Sequence, residues 1–279
     1  MKTFRSSVLA IAIAGAAGTA MADANSLNLL FPFDSSNPVG TGWTQSMARN
    51  DDGSSSLLDI GFTFCFYETD RTQLYINNNG NVTFNAPYAP YSPAGFPSAA
   101  VPAMIAPFWA DVDTRNTSLG GIDTNLVWHR TFDTNGDSAP DVFVVTWDSV
   151  GFFNSSNSLR NTFQVAMAAD PNHWGAGLNA AFSYGDMQWT TGSASGGIGG
   201  FGGFPATVGL NNGDGVRFSQ LGRFDHEGVD YNEQMGGTSG VSFLDNRDFF
   251  FNACEGIVPN PGAIGLLGLG GLVTLRRRR

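Results

Sequence analysis

The sequence predicts a mainly β protein: a single sandwich-like antiparallel β domain with few short helices, flanked by an N-terminal signal helix and a short C-terminal hydrophobic helix. Three observations lead there. The composition favours strands and turns: Phe is the preferred apolar residue with 23 copies, Gly reaches 36, and Lys occurs only at Lys2. Short apolar runs recur between turn-forming clusters from residue 26 to 256. No stretch of that region sustains the 3.6-residue period of an amphipathic helix.

At the N-terminus, "MKTFRSSVLAIAIAGAAGTAMADAN" has the three parts of an export signal. Lys2 and Arg5 form a positive start, Val8 to Ala17 an apolar centre, and Ala20-Met21-Ala22 a small-x-small cleavage pattern. The expected signal peptide is therefore 1–22 and the mature chain begins at Asp23. In "DIGFTFCFY", Ile60, Phe62, Phe64 and Phe66 alternate with Gly61, Thr63, Cys65 and Tyr67, as in a strand with one buried face. "QLYINNNGNVTFN" reads as two strands around a turn at Asn79-Gly80. "SAAVPAMIAP" has room for a short helical turn. "TNLVWHRTF" and "DVFVVTWDSV" are two further strands, and "NTFQVAMAAD" and "LNAAFSY" a pair joined by "PNHWGAG". No linker divides 23–256, so it reads as one domain.

The remaining segment, 257–279, is "VPNPGAIGLLGLGGLVTLRRRR" with its preceding residue. Its uncharged run, Gly262 to Leu275, would span only about 21 Å as a helix, short of the ~30 Å hydrocarbon core. Arg276, Arg277, Arg278 and Arg279 favour the cytoplasmic side. The layout resembles the PEP-CTERM class of bacterial C-terminal sorting signals: Pro259 and Pro261, a short span, then an arginine block. It departs from that class at Asn260, where Glu is usual. The resemblance implies an exported, envelope or extracellular protein, transiently anchored by its tail and processed by a membrane protease.

The charge agrees. Six of the 14 basic residues sit in the two ends, so eight face all 24 acids between them, a net charge of −16. Such a surface repels nucleic acid and anionic lipid and attracts divalent cations. In an oxidising compartment, Cys65 and Cys254 are expected to form a disulfide tying the last strand to an early one; the alternative is two buried thiols.

Four stretches come in the order and spacing of the nidogen-like (NIDO) domain: "LYINNNGNVTF", "MIAPFWADVDTR", "FVVTWDSVGFF" with "NTFQVAMA", and "QWTTGSASGGIGGFGGFPATVGLNNGDG". The resemblance covers roughly residues 55–252. It implies an extracellular module associated with cell–matrix adhesion, with no catalytic role. Its expected partners are extracellular matrix, exopolysaccharide or surface proteins. The alternatives are a secreted carbohydrate-active enzyme or a lectin-like polysaccharide binder.

The strongest chemical motif is "FDTNGDSAPDV". Asp133, Asn135, Asp137 and Asp141 occupy positions 1, 3, 5 and 9 of a loop, with the Ala139 carbonyl at position 7. That is the oxygen spacing of EF-hand-like Ca²⁺ loops, although Val144 stands where the bidentate Glu would be. The alternative is a hairpin turn with solvated acids. Asp111 and Asp113 in "WADVDTR" lie two apart on a strand, about 7 Å at their bases, a spacing that does not exclude a glycosidase pair. A hydrogen-bonded acid cluster at a strand end is the preferred reading. Gly197, Gly199 and Gly202 match a dinucleotide fingerprint, but without the strand–helix context it needs; seven glycines from Gly192 to Gly203 suggest a flexible or closely packed loop. His129, His173 and His226 show no zinc spacing, and most of the six tryptophans are expected in the core.

Overall fold

The computed structural model describes residues 28–117, 124–232 and 236–256. The expected signal peptide (1–22) and the sorting residues Pro259, Pro261 and Arg276 to Arg279 lie outside the described residues.

Two seven-stranded sheets pack face to face. The first contains β1 (Thr44–Gln45), β6 (Val112–Asp113), β7 (Leu126–Phe132), β8 (Val142–Phe152), β9 (Ser156–Ala168), β10 (Ala180–Met187) and β14 (Asp248–Phe251). Its order is β1-β7-β8-β9-β10-β14, with β6 added on β8. The second holds β2 (Leu58–Phe66), β3 (Thr69–Asn77), β4 (Asn81–Thr83), β5 (Met104–Trp109), β11 (Ala206–Asn211), β12 (Phe218–His226) and β13 (Ser239–Gly240). Its order is β13-β12-β11-β5-β4-β3-β2. The strand pairs are antiparallel except β12 with β13.

The inner faces meet in a core rich in aromatic rings. Phe108 of β5 lies 5.6 Å from Phe163 of β9, and Phe163 stacks on Trp147 at 5.1 Å. The buried Tyr184 hydroxyl donates to the Pro107 carbonyl at 2.6 Å, tying β10 to β5 across the interface. Burial of such rings supplies the main driving force, and their N–H and O–H groups need partners inside. Trp147 and Trp189 find theirs in the Asn78 and Val150 carbonyls, at 3.1 and 3.0 Å.

Alternation holds in β2, where Ile60, Phe64 and Phe66 are buried and Asp59, Gly61 and Thr63 exposed. In β8 it vanishes, because both faces of the first sheet are covered. Val145 and Trp147 face the central core, while Val142 and Val144 join Leu126, Trp128 and Ala166 in a second cluster. Phe31, Phe33 and Trp43 of the N-terminal strap cover that cluster. The strap is held by polar groups of the sheet: Gln164 Nε2 donates to the Phe31 carbonyl at 3.0 Å and Ser183 Oγ accepts from Leu30 N at 2.8 Å. On the outside of the second sheet, Phe96 and Val101 cover Met104, Ala106 and Trp109.

Two local expectations are refined. The stretch "SAAVPAMIAP" forms no helix; it makes a turn at Ala99-Ala100, bends at Val101 and Ala103, and enters β5 at Met104. There β5 must pair with both β4 and β11, and Pro102 lacks the N–H that would continue a helix. The hairpin between β3 and β4 also turns in three residues, Asn78-Asn79-Gly80, closed by the Asn77–Asn81 pair. The β9–β10 pair forms as expected, with Met167 opposite Ala180.

Cys65 and Cys254 are bonded, with Cα atoms 4.9 Å apart and a sequence separation of 189. The bond joins the end of β2, in one sheet, to the segment after β14, in the other. Tyr67 N and Glu68 N donate to the Ala253 and Cys254 carbonyls at 2.8 Å each, so the covalent link sits in a backbone ladder. Closing so long a loop in the unfolded chain stabilises by about 5 kcal/mol as an upper figure. Among the described residues, no helix is long and apolar enough to cross a membrane.

Candidate functional site

The Asn78-Asn79-Gly80 turn is buried, and its polar atoms organise the loops around it. Gly80 has φ +74°, and a Cβ there would overlap the Phe108 carbonyl oxygen, so only glycine fits. Asn78 Nδ2 donates to the Val112 carbonyl at 2.6 Å and to the Asp51 carbonyl. Asn79 Oδ1 accepts from Val112 N at 3.0 Å, and its Nδ2 donates to Asp52 Oδ1 at 2.8 Å. One hairpin tip thus fixes both the β1–β2 connection, which carries Asp51 and Asp52, and the β5–β6 connection, which carries Asp111.

These three acids converge. Among the described residues, Asp51, Asp52 and Asp111 are the acidic or histidine/cysteine group in which three side chains bring a ligand atom within 4.8 Å of one another. Asp111 is 1% exposed, and its Oδ2 has no hydrogen-bond partner; the buried Oδ1 of Asp51 has none either. Burial, followed by repulsion from Asp51, Asp52 and Asp113, pushes the Asp111 carboxyl up to about 7, with a Ser195 backbone hydrogen bond opposing. Burial and the Asp113 charge raise Asp51 to about 6 against the pull of Arg115. Gly192 closes over the pocket: a Cβ there would overlap Asp111 Oδ2.

Asp113 has a different environment. Arg115 donates to it through Nε at 2.9 Å and Nη2 at 2.6 Å, and Ser155 N donates at 2.7 Å. Burial opposes ionisation, but these donors together hold its carboxyl below the usual range. Asp111 and Asp113 are 1% and 0% exposed, so this pair offers no open cleft between two carboxylates in which a sugar could lie.

The acids of the 133–141 segment lie on the exposed β7–β8 turn. Asp133 Oδ1 accepts from Gly136 N at 2.6 Å and Oδ2 from Ser138 N at 2.9 Å, which lowers its pKa. Asn135 Oδ1 accepts from Asp137 N at 2.9 Å, and Asp137 Oδ1 from Ala139 N at 2.8 Å. Asp141 receives the Thr134 hydroxyl, at 2.9 Å from Oδ2, and the Thr134 N–H, at 2.9 Å from Oδ1. The turn thus uses its side-chain oxygens as local acceptors.

The Gly192–Gly203 run is closely packed at most of its glycines and open at Gly199 and Gly202, where nothing lies near a Cβ. Gly203 and Gly197 approach backbone carbonyls too tightly for a side chain, and Ser193–Ser195 forms one 3₁₀ turn. His226 lies between Asp225 and Asp230, at 2.6 and 3.0 Å, and both raise its pKa. Trp43, Trp109, Trp128, Trp147 and Trp189 are buried. The sequence reading missed Asp51 and Asp52, whose "NDDGSSS" context is that of an ordinary polar turn.

A β-sandwich with an asparagine-pinned acidic pocket is therefore the class of module. The nidogen-like domain model matches residues 72–241, well over half of the chain, and the chain belongs to that family. It is similar to alpha-tectorin of Gallus gallus, 35% identical over 178 residues, which are 59% of this chain and 8% of the tectorin. It is also similar to nidogen of Drosophila melanogaster, 31% identical over 159 residues, or 52% of this chain and 12% of that protein. Human mucin-4 is 29% identical over 211 residues, 67% of this chain and 4% of the mucin. The chain thus spans only a small part of each of these relatives. No solved structure gives a significant match.

Proposed function

We propose that the chain is an exported cell-surface or extracellular-matrix protein that acts in adhesion or matrix binding through its nidogen-like domain. The carrying observation is the family match over 72–241, from within β3 to just past β13, which takes in most of the sandwich. The association of such domains with cell–matrix adhesion points to a matrix component, exopolysaccharide or surface protein as partner. The disulfide between the sheets and the acidic chain are consistent with work outside the cytosol. A tail processed by a membrane protease belongs to the same reading and rests on the Pro259 to Arg279 pattern. Calcium enters as a stabilising ion, with the β7–β8 turn and the Asp51–Asp52–Asp111 pocket as the two places where acidic oxygens gather.

The role is binding or structural: the buried Asp111 and Asp113 give the enzymatic alternative no open acid pair. The test is a deletion strain scored for aggregation and matrix retention, with purified mature protein incubated with the cell's own exopolysaccharide. Loss of aggregation, restored by the full-length chain, is the expected result. Unchanged aggregation overturns the adhesion reading, and cleavage products from the polysaccharide would replace it with an enzymatic one.

A further inference from the structure

We propose that Asp51, Asp52 and Asp111 form a calcium site in the pocket between the Asn78-Asn79-Gly80 turn and the Gly192 loop. This inference deepens the calcium part of the function proposed above and is independent of its adhesion part. Three facts carry it. First, the three carboxylates bring one oxygen each within 4.8 Å of one another, twice a Ca²⁺–oxygen distance of about 2.4 Å. Oxygens gathered so closely are placed to share one ion.

Second, the pocket holds buried oxygens that no protein donor serves. Asp111 Oδ2 and Asp51 Oδ1 are both buried and lack a hydrogen-bond partner. An ionised carboxylate oxygen left this way is costly unless a cation or water meets it. The same fold shows how a buried carboxylate is otherwise satisfied: Asp113, at 0% exposure, has donors from Arg115 and Ser155 on its oxygens. Asp111, two residues earlier, has nothing comparable on Oδ2.

Third, the local charge is unbalanced. Arg115 is bound to Asp113 and reaches Asp51 Oδ2 at 3.1 Å. It offsets one of four carboxylates, leaving a deficit that a dication reduces.

The donor chemistry selects the ion. All three side chains offer hard, anionic oxygen, without nitrogen or sulfur to favour zinc or copper. The acids come from two separate connections held by amide hydrogen bonds, which suits the flexible, oxygen-rich shell of Ca²⁺ better than the rigid octahedron of Mg²⁺. Asp51 keeps a 22% exposed side chain, which provides a way in and room for water ligands. With three protein carboxylates, affinity is expected in the range of extracellular modules, about 10⁻⁴–10⁻³ M.

The test uses the purified mature protein, stripped with chelator and then titrated with CaCl₂ or MgCl₂, read by calorimetry and thermal unfolding. Wild type should bind about one Ca²⁺ at this site and gain roughly 5–10 °C in Tm at a hundredfold excess over Kd, with a smaller response to Mg²⁺. Asp111→Asn, of equal volume, should lose that gain, whereas Asp133→Asn and Asp141→Asn should keep it. If Asp111→Asn does not fold, Asp52→Asn, on a half-buried position, carries the same test. Absence of heat and of any Tm shift in wild type overturns the site. So does a response that survives Asp111→Asn and Asp52→Asn but disappears with Asp133→Asn. Matrix association without a calcium response would sink this site and leave the adhesion reading standing.

Discussion

Two acidic regions of this sandwich differ in how far their oxygens are used. The β7–β8 turn spaces its acids in the sequence like a calcium loop, and the folded turn spends them on its own backbone N–H groups. The pocket under Gly192 draws Asp51 and Asp52 from one connection and Asp111 from another, and leaves buried oxygens without donors. The difference teaches that ligand-like spacing within one loop also fits a self-satisfied turn. Where acids converge from distant positions, local turn geometry does not supply their donors, and here Asp111 Oδ2 and Asp51 Oδ1 are left without one.

The largest expected contrast lies in the glycines of the two regions. Gly80→Ala should cost about 4 kcal/mol or more and give little folded protein, because the new methyl meets the Phe108 carbonyl at a positive φ. Gly136→Ala, also at positive φ but with nothing near its Cβ, should cost only about 1 kcal/mol. Chemical denaturation of both variants measures the difference; equal losses would break the claim that the Asn turn is a buried anchor and the acidic turn a free surface loop.

A smaller gap is expected for the asparagines. Asn78→Ala strands the Val112 and Asp51 carbonyls and should cost about 3 kcal/mol. Asn135→Ala, in the exposed turn, should cost under ~1 kcal/mol.

The smallest effect sharpens the meaning of burial itself. Asp148 is as buried as Asp111; Ser35 and Ser149 donate to its Oδ1, at 2.8 and 3.2 Å, while its Oδ2 also lacks a partner. Burial still raises its carboxyl to about 6, above the unfolded value near 3.9. A raised folded pKa means that the native state binds the proton more tightly. This contribution to stability is therefore full below about pH 4 and is lost as pH rises through about 6. Asp148→Asn should flatten that part of the Tm–pH curve by a few degrees. An unchanged slope would show that Asp148 is not responsible for it.

Much of this was legible in the sequence, for physical reasons that name its limits. Strand alternation at Ile60, Phe64 and Phe66 and the turn at Gly80 are local properties, and they appear where expected. The disulfide followed from compartment and count. The absence of alternation in β8 became intelligible only once the N-terminal strap was seen to cover the outer face of the sheet. Asp111 and Asp113 attracted notice as neighbours, yet the fold separates their roles, giving Asp113 to Arg115 and Asp111 to a connection some 60 positions earlier. Nothing in "NDDGSSS" distinguishes it from a solvated bend; its partner was set by the buried amides of Asn78 and Asn79.

The cross-link between Cys65 and Cys254 has a mechanical consequence. Tension applied to the chain beyond Cys254 passes through sulfur to β2 before it can reach β14. The outermost strand of the first sheet is thereby spared from being peeled away, and load enters both layers of the sandwich together.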